Sequence, residues 1–457
     1  MLFYGLLALF GALASVSAAG YLLMLGRTAA ARSLIVMVVL ISVSFVLTAV
    51  FALTVPDGAT ELPPLPSAVG TMVTLLSLWG CAWLFAEWLS RRQAMPPIWT
   101  ALLVSLGATI LALPFATQPE YGRAILLAPT VPLAFGLALA NGVSAVALAR
   151  TVRAGLIALC VGSVALWLAS PEVAARVTDG AFGALGPRWQ GLTAHPNSLG
   201  YVAGAVLVSA LWKPLRFRGE PLWLLAALIP FVGSQSKTVW GAVAVGLLLT
   251  VTWRASVLPP VQRSLAYLGS VVALCGLLVY TVGNVDLPTF DTTLTGRTAL
   301  WKATLQEFQR NPVAGYGPGL WSVEYRAGTP FLWAGQAHNQ LIQTLGASGL
   351  IGAAGLFVFT AALLVGTWRS ARVTRGASLA LTSYFLLRAV TESPLGLGWD
   401  GPVLILALVL LPLSIHSPAR QTGKRSRPHS LPARRSVAAP EPPSPPEYSP
   451  APAVSRR

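Results

Sequence analysis

Charge is scarce in this chain: 10% of its 457 residues are Asp, Glu, Lys or Arg, against 55% that are hydrophobic. A soluble core of this size is built from helices that keep one polar face. Apolar runs such as 34–54 and 222–232, separated by short Arg-bearing turns, lack that face, which excludes a soluble fold. Cysteine is rarer still. Cys81, Cys160 and Cys275 each sit inside an apolar run and show no ligand spacing, so they read as small core residues, and a metal site or disulfide framework is excluded. Acidic residues number 15 against 31 Lys and Arg, for a net charge of +16. That surplus is spread over short loops and a tail and is not gathered on one face, which argues against nucleic acid as a partner. Topology and the headgroups of membrane lipids account for most of it.

What is abundant is apolar sequence in runs of roughly 20 residues, the length that crosses a bilayer. The pattern predicts an all-α polytopic membrane protein with about 12–13 transmembrane helices. They lie near 2–26, 33–54, 68–89, 98–115, 124–149, 154–170, 198–212, 221–235, 238–253, 266–282, 340–367, 377–393 and 398–415. The first run contains Val16-Ser17-Ala18-Ala19, which resembles a signal-peptidase site, but no basic segment precedes it and the run is long enough to span. It reads as a membrane helix. The transmembrane domain is therefore 1–415, followed at 416–457 by a disordered, basic, Pro/Ser-rich cytoplasmic tail with too little apolar surface to fold. Tail residues such as Lys424, Arg425 and Arg427 fit both an orientation signal and contact with anionic headgroups.

Short basic turns at 27–32, 91–92, 150–153, 213–218, 254–263 and 369–375 fall on alternate sides of the span count. By the positive-inside rule that side is cytoplasmic. Two outward segments break the rule: 171–197 holds Arg176 and Arg188, and the long loop 283–338 holds Arg297, Lys302, Arg310 and Arg326. Basic residues outside need a reason other than orientation, and an anionic substrate supplies one. Within the loop, Leu300, Trp301, Leu305 and Phe308 recur at helical spacing up to Asn311-Pro312. The spacing predicts an amphipathic helix lying along the membrane surface with Trp301 and Phe308 at the headgroups. Arg297 then stands at the helix N-terminus, where free amides add donors for an anion. Gly315-Tyr316-Gly317-Pro318-Gly319 is too rich in glycine for helix and could bring backbone amides close to a ligand, though a plain turn uses the same residues.

His338 and Asn339 stand where the loop enters the next membrane helix. An unperturbed imidazole is largely free base at neutral pH and can take a proton from a hydroxyl. The simpler reading is an interfacial histidine satisfied by backbone, and the nearby cations weigh against it. Lys237, after Ser234-Gln235-Ser236, lies between two apolar spans; it either snorkels to the headgroups or serves a hydrated pocket. His195 and Asn197 open a span rich in small residues and suit structure or substrate positioning. Arg388 and Glu392 are four apart, which fits both a simple pair and a place in the site.

In this order and spacing, His195-Pro196-Asn197…Gly200, Ser234-Gln235-Ser236-Lys237, Gly296-Arg297…Trp301-Lys302…Asn311-Pro312…Gly315-Tyr316-Gly317-Pro318-Gly319 and His338-Asn339…Gly346…Gly349…Gly352 resemble the bacterial O-antigen ligase and O-antigen polymerase superfamily. The resemblance covers about residues 190–400. It implies a metal-independent glycosyltransferase of the GT-C-like membrane-embedded type, needing no cofactor, in the bacterial cytoplasmic (inner) membrane with its active site on the extracytoplasmic face. Its donor would be an undecaprenyl-diphosphate-linked glycan and its acceptor a glycan or lipid hydroxyl. By the resemblance Lys237 and Arg297 bind the diphosphate and His338 is catalytic; from the residues themselves, Asn339, His195, Asn197, Trp301, Tyr316, Arg388 and Glu392 are candidates for substrate positioning. One departure is that the turn position taken here by Lys237 is usually arginine, which grips phosphate through two prongs where lysine offers a point charge. Other readings are a lipid-linked oligosaccharide flippase, whose charges would sit near mid-membrane in two similar halves, and a protein O-oligosaccharyltransferase.

Overall fold

The computed structural model describes residues 28–54, 67–119, 127–176, 186–254, 259–264, 297–395 and 401–416, apart from positions 194, 263 and 333. The expected spans at 2–26 and 266–282, the loop segment 283–296 and the tail beyond 416 lie outside them. The chain is an all-α polytopic membrane protein. Helices α1 (Ala29–Thr54), α2 (Ser67–Arg91), α3 (Pro97–Ala112), α4 (Thr130–Ala140), α5 (Ala145–Ala169), α6 (Pro196–Ser209), α7 (Glu220–Gly233) and α8 (Lys237–Arg254) precede the loop. The loop holds α9 (Arg297–Arg310) and α10 (Val323–Ala327), and α11 (Gln340–Ser370), α12 (Ala377–Thr391) and α13 (Gly401–Leu410) follow it. The stretches 29–46, 71–91, 97–115, 145–169 and 340–370 are long and apolar enough to cross a membrane. Shorter apolar helices lie at 130–140, 220–233, 377–391 and 404–415.

The chain's last apolar run forms the centre of the bundle. Residues 404–411 are Leu, Ile, Ala and Val throughout, with no polar face, and all are at most 2% exposed. A helix that is apolar all round can face lipid or be covered by neighbours, and the near-zero exposure of 404–411 shows that neighbours cover it. Here α5, α6 and α12 do so, while α11 packs on the turn that follows at 411–416. Small residues let the other helices approach closely: a Cβ on Gly355 of α11 would stand 2.6 Å from the Ala108 methyl of α3, and one on Gly246 of α8 would stand 3.1 Å from the Ala380 carbonyl of α12.

One expected boundary is wrong. The sequence reading ran a span over 124–149 and placed Arg150 to Arg153 in a turn, whereas the chain turns at Asn141-Gly142 and continues as α5 from Ala145. Gly142 takes φ 89°, and the Asn141 amide donates to Ser33 Oγ and the Leu84 carbonyl at 3.0 Å each, pinning the turn to α1 and α2. Arg150 and Arg153 therefore lie inside a helix. Arg153 is fully buried, and its guanidinium is satisfied by Glu220, Ser209 Oγ at 2.9 Å and the Leu215 carbonyl at 2.8 Å. A charge at that depth persists only with such a complete set of partners.

The loop has a core of its own, built from Leu300, Trp301, Leu320, Trp321, Ala334, Ala337 and Ile342. Trp301 is 2% exposed, so it does not lie at the headgroups as the amphipathic reading expected. The apolar stripe of α9 packs against α11. Nor do Gly315 and Gly317 present their amides to a ligand. Gly315, Tyr316 and Gly317 donate to the carbonyls of Asn311, Gly346 and Ala347 at 2.8, 2.8 and 3.1 Å. The glycines are required because the loop lies flat on α11: Gly315 (φ 70°) would push a Cβ to 2.6 Å from the Gly346 carbonyl, and Gly349 (φ 57°) one to 2.4 Å from Val313.

Candidate active site

Three segments far apart in sequence, at 197, 297 and 336–338, converge on one carboxylate. Glu392 follows the last turn of α12 and is 5% exposed. Its Oε2 accepts from Gln336 Nε2 at 2.8 Å and lies 2.6 Å from His338 Nδ1. Its Oε1 accepts from Asn197 Nδ2 at 3.2 Å and Arg297 Nη2 at 3.4 Å, and Arg388 Nη1 stands 3.4 Å away. Burial alone would raise the pKa of this acid, but Arg388, His338 and Arg297 outweigh it and hold Glu392 well below the usual carboxylate range. It is an anion throughout the physiological range. The Arg297 guanidinium is lowered from its ordinary value, mainly by burial and against the pull of Glu392.

The segment carrying His338 is fixed on both sides. The Trp301 indole donates to the Ala337 carbonyl at 2.8 Å, and Gln343 Oε1 accepts from the Ala337 amide at 2.7 Å. Asn339 then caps α11, its Oδ1 accepting from Ile342 N at 3.1 Å while its Nδ2 donates to the Val390 carbonyl at 3.1 Å. Between these anchors His338 is forced to φ 53°, a conformation that costs a side-chain-bearing residue energy and persists where the surroundings over-determine it. With Nδ1 engaged by Glu392, the imidazole is presented through Nε2, which has no hydrogen-bond partner among the described residues. The side chain remains 21% exposed.

Arg188 joins this site through a two-residue strand. Strand β2 (Arg188–Trp189) pairs antiparallel with β1 (Ala175–Arg176). Alternation along a strand sends neighbouring side chains to opposite faces. Trp189 stacks on Trp167 at 4.1 Å and fills the space left by Gly233, while Arg188 donates to Asn197 Oδ1 at 2.8 Å and the Ser234 carbonyl at 3.2 Å. Burial lowers its pKa. Asn197 thus bridges Arg188 to Glu392. His195 caps α6, its Nδ1 accepting from the Asn197 amide at 3.1 Å.

The turn 234–236 bends through Gln235 at φ 49°, tied by its side chain to the Gly186 carbonyl at 2.9 Å, and Lys237 opens α8 directly after it with an exposed side chain. The turn packs on α6 where Gly200 leaves room: a Cβ there would stand 2.7 Å from Ser234 Oγ. Ser236 Oγ, Ser393 Oγ and Arg388 Nη1 are buried without a hydrogen-bond partner among the described residues. Buried donors left open beside a charged cluster are the groups a bound anion would satisfy.

The structure brings together Arg297, His338, Asn197, Arg388 and Glu392 of the expected residues. Asn339, Trp301 and His195 hold backbone around them, and Lys237 stands on the turn that Arg188 grips. Tyr316 sits instead in the loop core, edge-on to Tyr325 at 4.9 Å. Two members of the site were not assigned from sequence. Arg188 carried the same signal as Arg297, a basic residue in an outward segment; Gln336 carried none.

Residues 222–357, from within α7 to within α11, match the family model described as O-antigen ligase. No curated protein matches the chain.

Proposed function

We infer from the match to the O-antigen ligase family model at residues 222–357, which supports membership of the O-antigen ligase and polymerase superfamily, that this protein transfers a glycan from an undecaprenyl-diphosphate carrier to an acceptor hydroxyl at the outer face of the cytoplasmic membrane. The observation that carries the reading is the pair formed by His338 and Glu392. A carboxylate on Nδ1 fixes the tautomer that leaves Nε2 free to accept a proton, and it stabilises the imidazolium that results. Around it, Arg188, Arg297 and Arg388 with Glu392 sum to +2 when His338 is neutral, which complements the two negative charges of a diphosphate diester.

In the reaction the acceptor oxygen attacks the anomeric carbon and loses its proton to His338 Nε2. The bond from that carbon to the diphosphate breaks, and its electron pair leaves with the carrier. Arg297, Arg188 and Lys237 stabilise the departing charge, which is already a stable anion and needs no added proton. The positive-inside rule supports the placement: α8, α11 and α12 each have one end at this cluster and the other at Arg254, Arg369, Arg372 and Arg375, a basic end suited to the cytoplasm. Gathering of charge at one end, not at mid-membrane, favours an enzyme over a flippase.

The test is glycan transfer in reconstituted vesicles containing carrier-linked donor. His338→Ala and Arg297→Ala are each expected to lower the rate by about 10²–10⁴ at unchanged protein level. Near-normal transfer by His338→Ala removes the histidine from the mechanism, and flipping without transfer by the wild type defeats the reading. Supplying a lipid-A core acceptor or a second carrier-linked glycan separates ligation from polymerisation.

A further inference from the structure

At the end of the bundle remote from Glu392, a cavity of about 750 Å³ opens between the C-terminal ends of α8 and α11. It is lined by Trp253, Arg254, Trp368, Arg369, Arg372 and Arg375. The 18 residues of α8 put it about 27 Å from the Lys237 end. The two indoles meet edge to face at 5.9 Å. The Arg254 guanidinium is fixed by carbonyls, at 2.9 Å to Arg375 and 2.6 Å to Leu211. Arg369, Arg372 and Arg375 are exposed, and no carboxylate lines the space among the described residues. Four like charges around one cavity repel each other unless an anion joins them.

We propose that this cavity binds the headgroup of an anionic phospholipid. The sequence on either side of it argues for a lipid and against a soluble phosphate. Leu247, Val251 and Arg254 recur at i, i+4 and i+7 on α8, and Val365, Trp368 and Arg372 at i, i+3 and i+7 on α11. Leu247, Val251 and Val365 are 41%, 63% and 50% exposed. Each helix thus carries an outward apolar track that ends at an arginine of the cavity. An acyl chain lying along each track brings its phosphate to the guanidiniums, while the indoles sit at the headgroup level where tryptophan is favoured. Basic pockets between transmembrane helices on the cytoplasmic side suit such headgroups.

The experiment is native mass spectrometry of the purified full chain in detergent with added phosphatidylglycerol, phosphatidylcholine or inorganic diphosphate. Phosphatidylglycerol is expected to be retained at least tenfold more than phosphatidylcholine and to resist an equal concentration of diphosphate. The double variant Arg369→Gln/Arg372→Gln should weaken retention by about 25-fold, the effect of about 1 kcal/mol per basic residue at the headgroup surface. The double variant to lysine keeps both charges and should stay within about fivefold of wild type. Equal retention of the two lipids by the wild type overturns the proposal without any variant, as does full displacement by diphosphate, which would mark a site for a soluble anion. Unchanged retention in the glutamine variant overturns it as well. The proposal stands whether or not glycan transfer is found, because none of these residues touches the Glu392 cluster.

Discussion

At the residue scale, Glu392 governs the site. Replacing it by glutamine keeps the shape but leaves Arg297 and Arg388 without their counter-charge, and breaking a buried pair in this way costs about 3–5 kcal/mol. Because its pKa is depressed on folding from the ordinary 4.5, the stabilisation it gives is fully present above that value and is lost as pH falls through the lower folded value. Thermal unfolding in detergent should therefore show wild type ahead of Glu392→Gln by a constant margin from pH 8 to about 5, with the gap closing in stronger acid. A gap that closes near neutrality contradicts the assignment. Transfer by the glutamine variant should fall by about 10²-fold or more, since the imidazole loses the partner that sets its tautomer. His338, Arg297 and Arg388 stood out as candidates because polar residues at the outer ends of apolar spans are conspicuous, whereas Arg188 was passed over. Glu392 was a candidate too, but its place at the centre was not legible, because a spacing of four on one helix also describes an ordinary surface pair.

Among the elements, the contact between the loop and α11 depends on main chain more than on side chains. Gly349→Ala combines a left-handed φ with a Cβ 2.4 Å from Val313, so a loss of about 3 kcal/mol or more is expected, with faster proteolysis of 297–339. Gly241→Ala in α8 meets nothing within 4 Å and should be neutral or stabilise by up to about 1 kcal/mol. Equal behaviour of the two variants would show that the flat docking is not required. Helices with strong apolar runs were placed within a few residues by sequence. The break at Asn141-Gly142 was overlooked although the Asn-Gly pair is a turn signal, because two arginines nearby offered a more obvious end to the span. The docking of 315–317 on 346–347 joins segments thirty residues apart, and no local pattern encodes it.

Over the bundle the two ends differ in how their arginines are held: at one end they surround the Glu392 carboxylate, and at the other Arg254, Arg369, Arg372 and Arg375 line a cavity with no carboxylate among the described residues. With Cys275 replaced by alanine and the buried Cys81 and Cys160 kept, Lys302→Cys should react with an impermeant maleimide from outside the cell and Arg372→Cys only after permeabilisation. Labelling of both from one side would contradict the proposed orientation. Glu220→Gln, which strands the fully buried Arg153, should lower stability by about 3–5 kcal/mol while leaving the rate per folded molecule unchanged. Fold class was readable from composition because apolar length decides it. The central position of 404–411 was hinted at only by the absence of any polar residue there.

The mainchain seam between 311–317 and 346–351 also bears on how relatives of this protein can be recombined. A chimera cut at the visible edge of the membrane, near Gln340, would separate the loop from the half-turn of backbone it is laced to, and the transplanted cassette would arrive without its floor. Grafts should instead carry 297–352 as one piece, and exchange of acceptor preference between homologues is expected to succeed only with that longer insert.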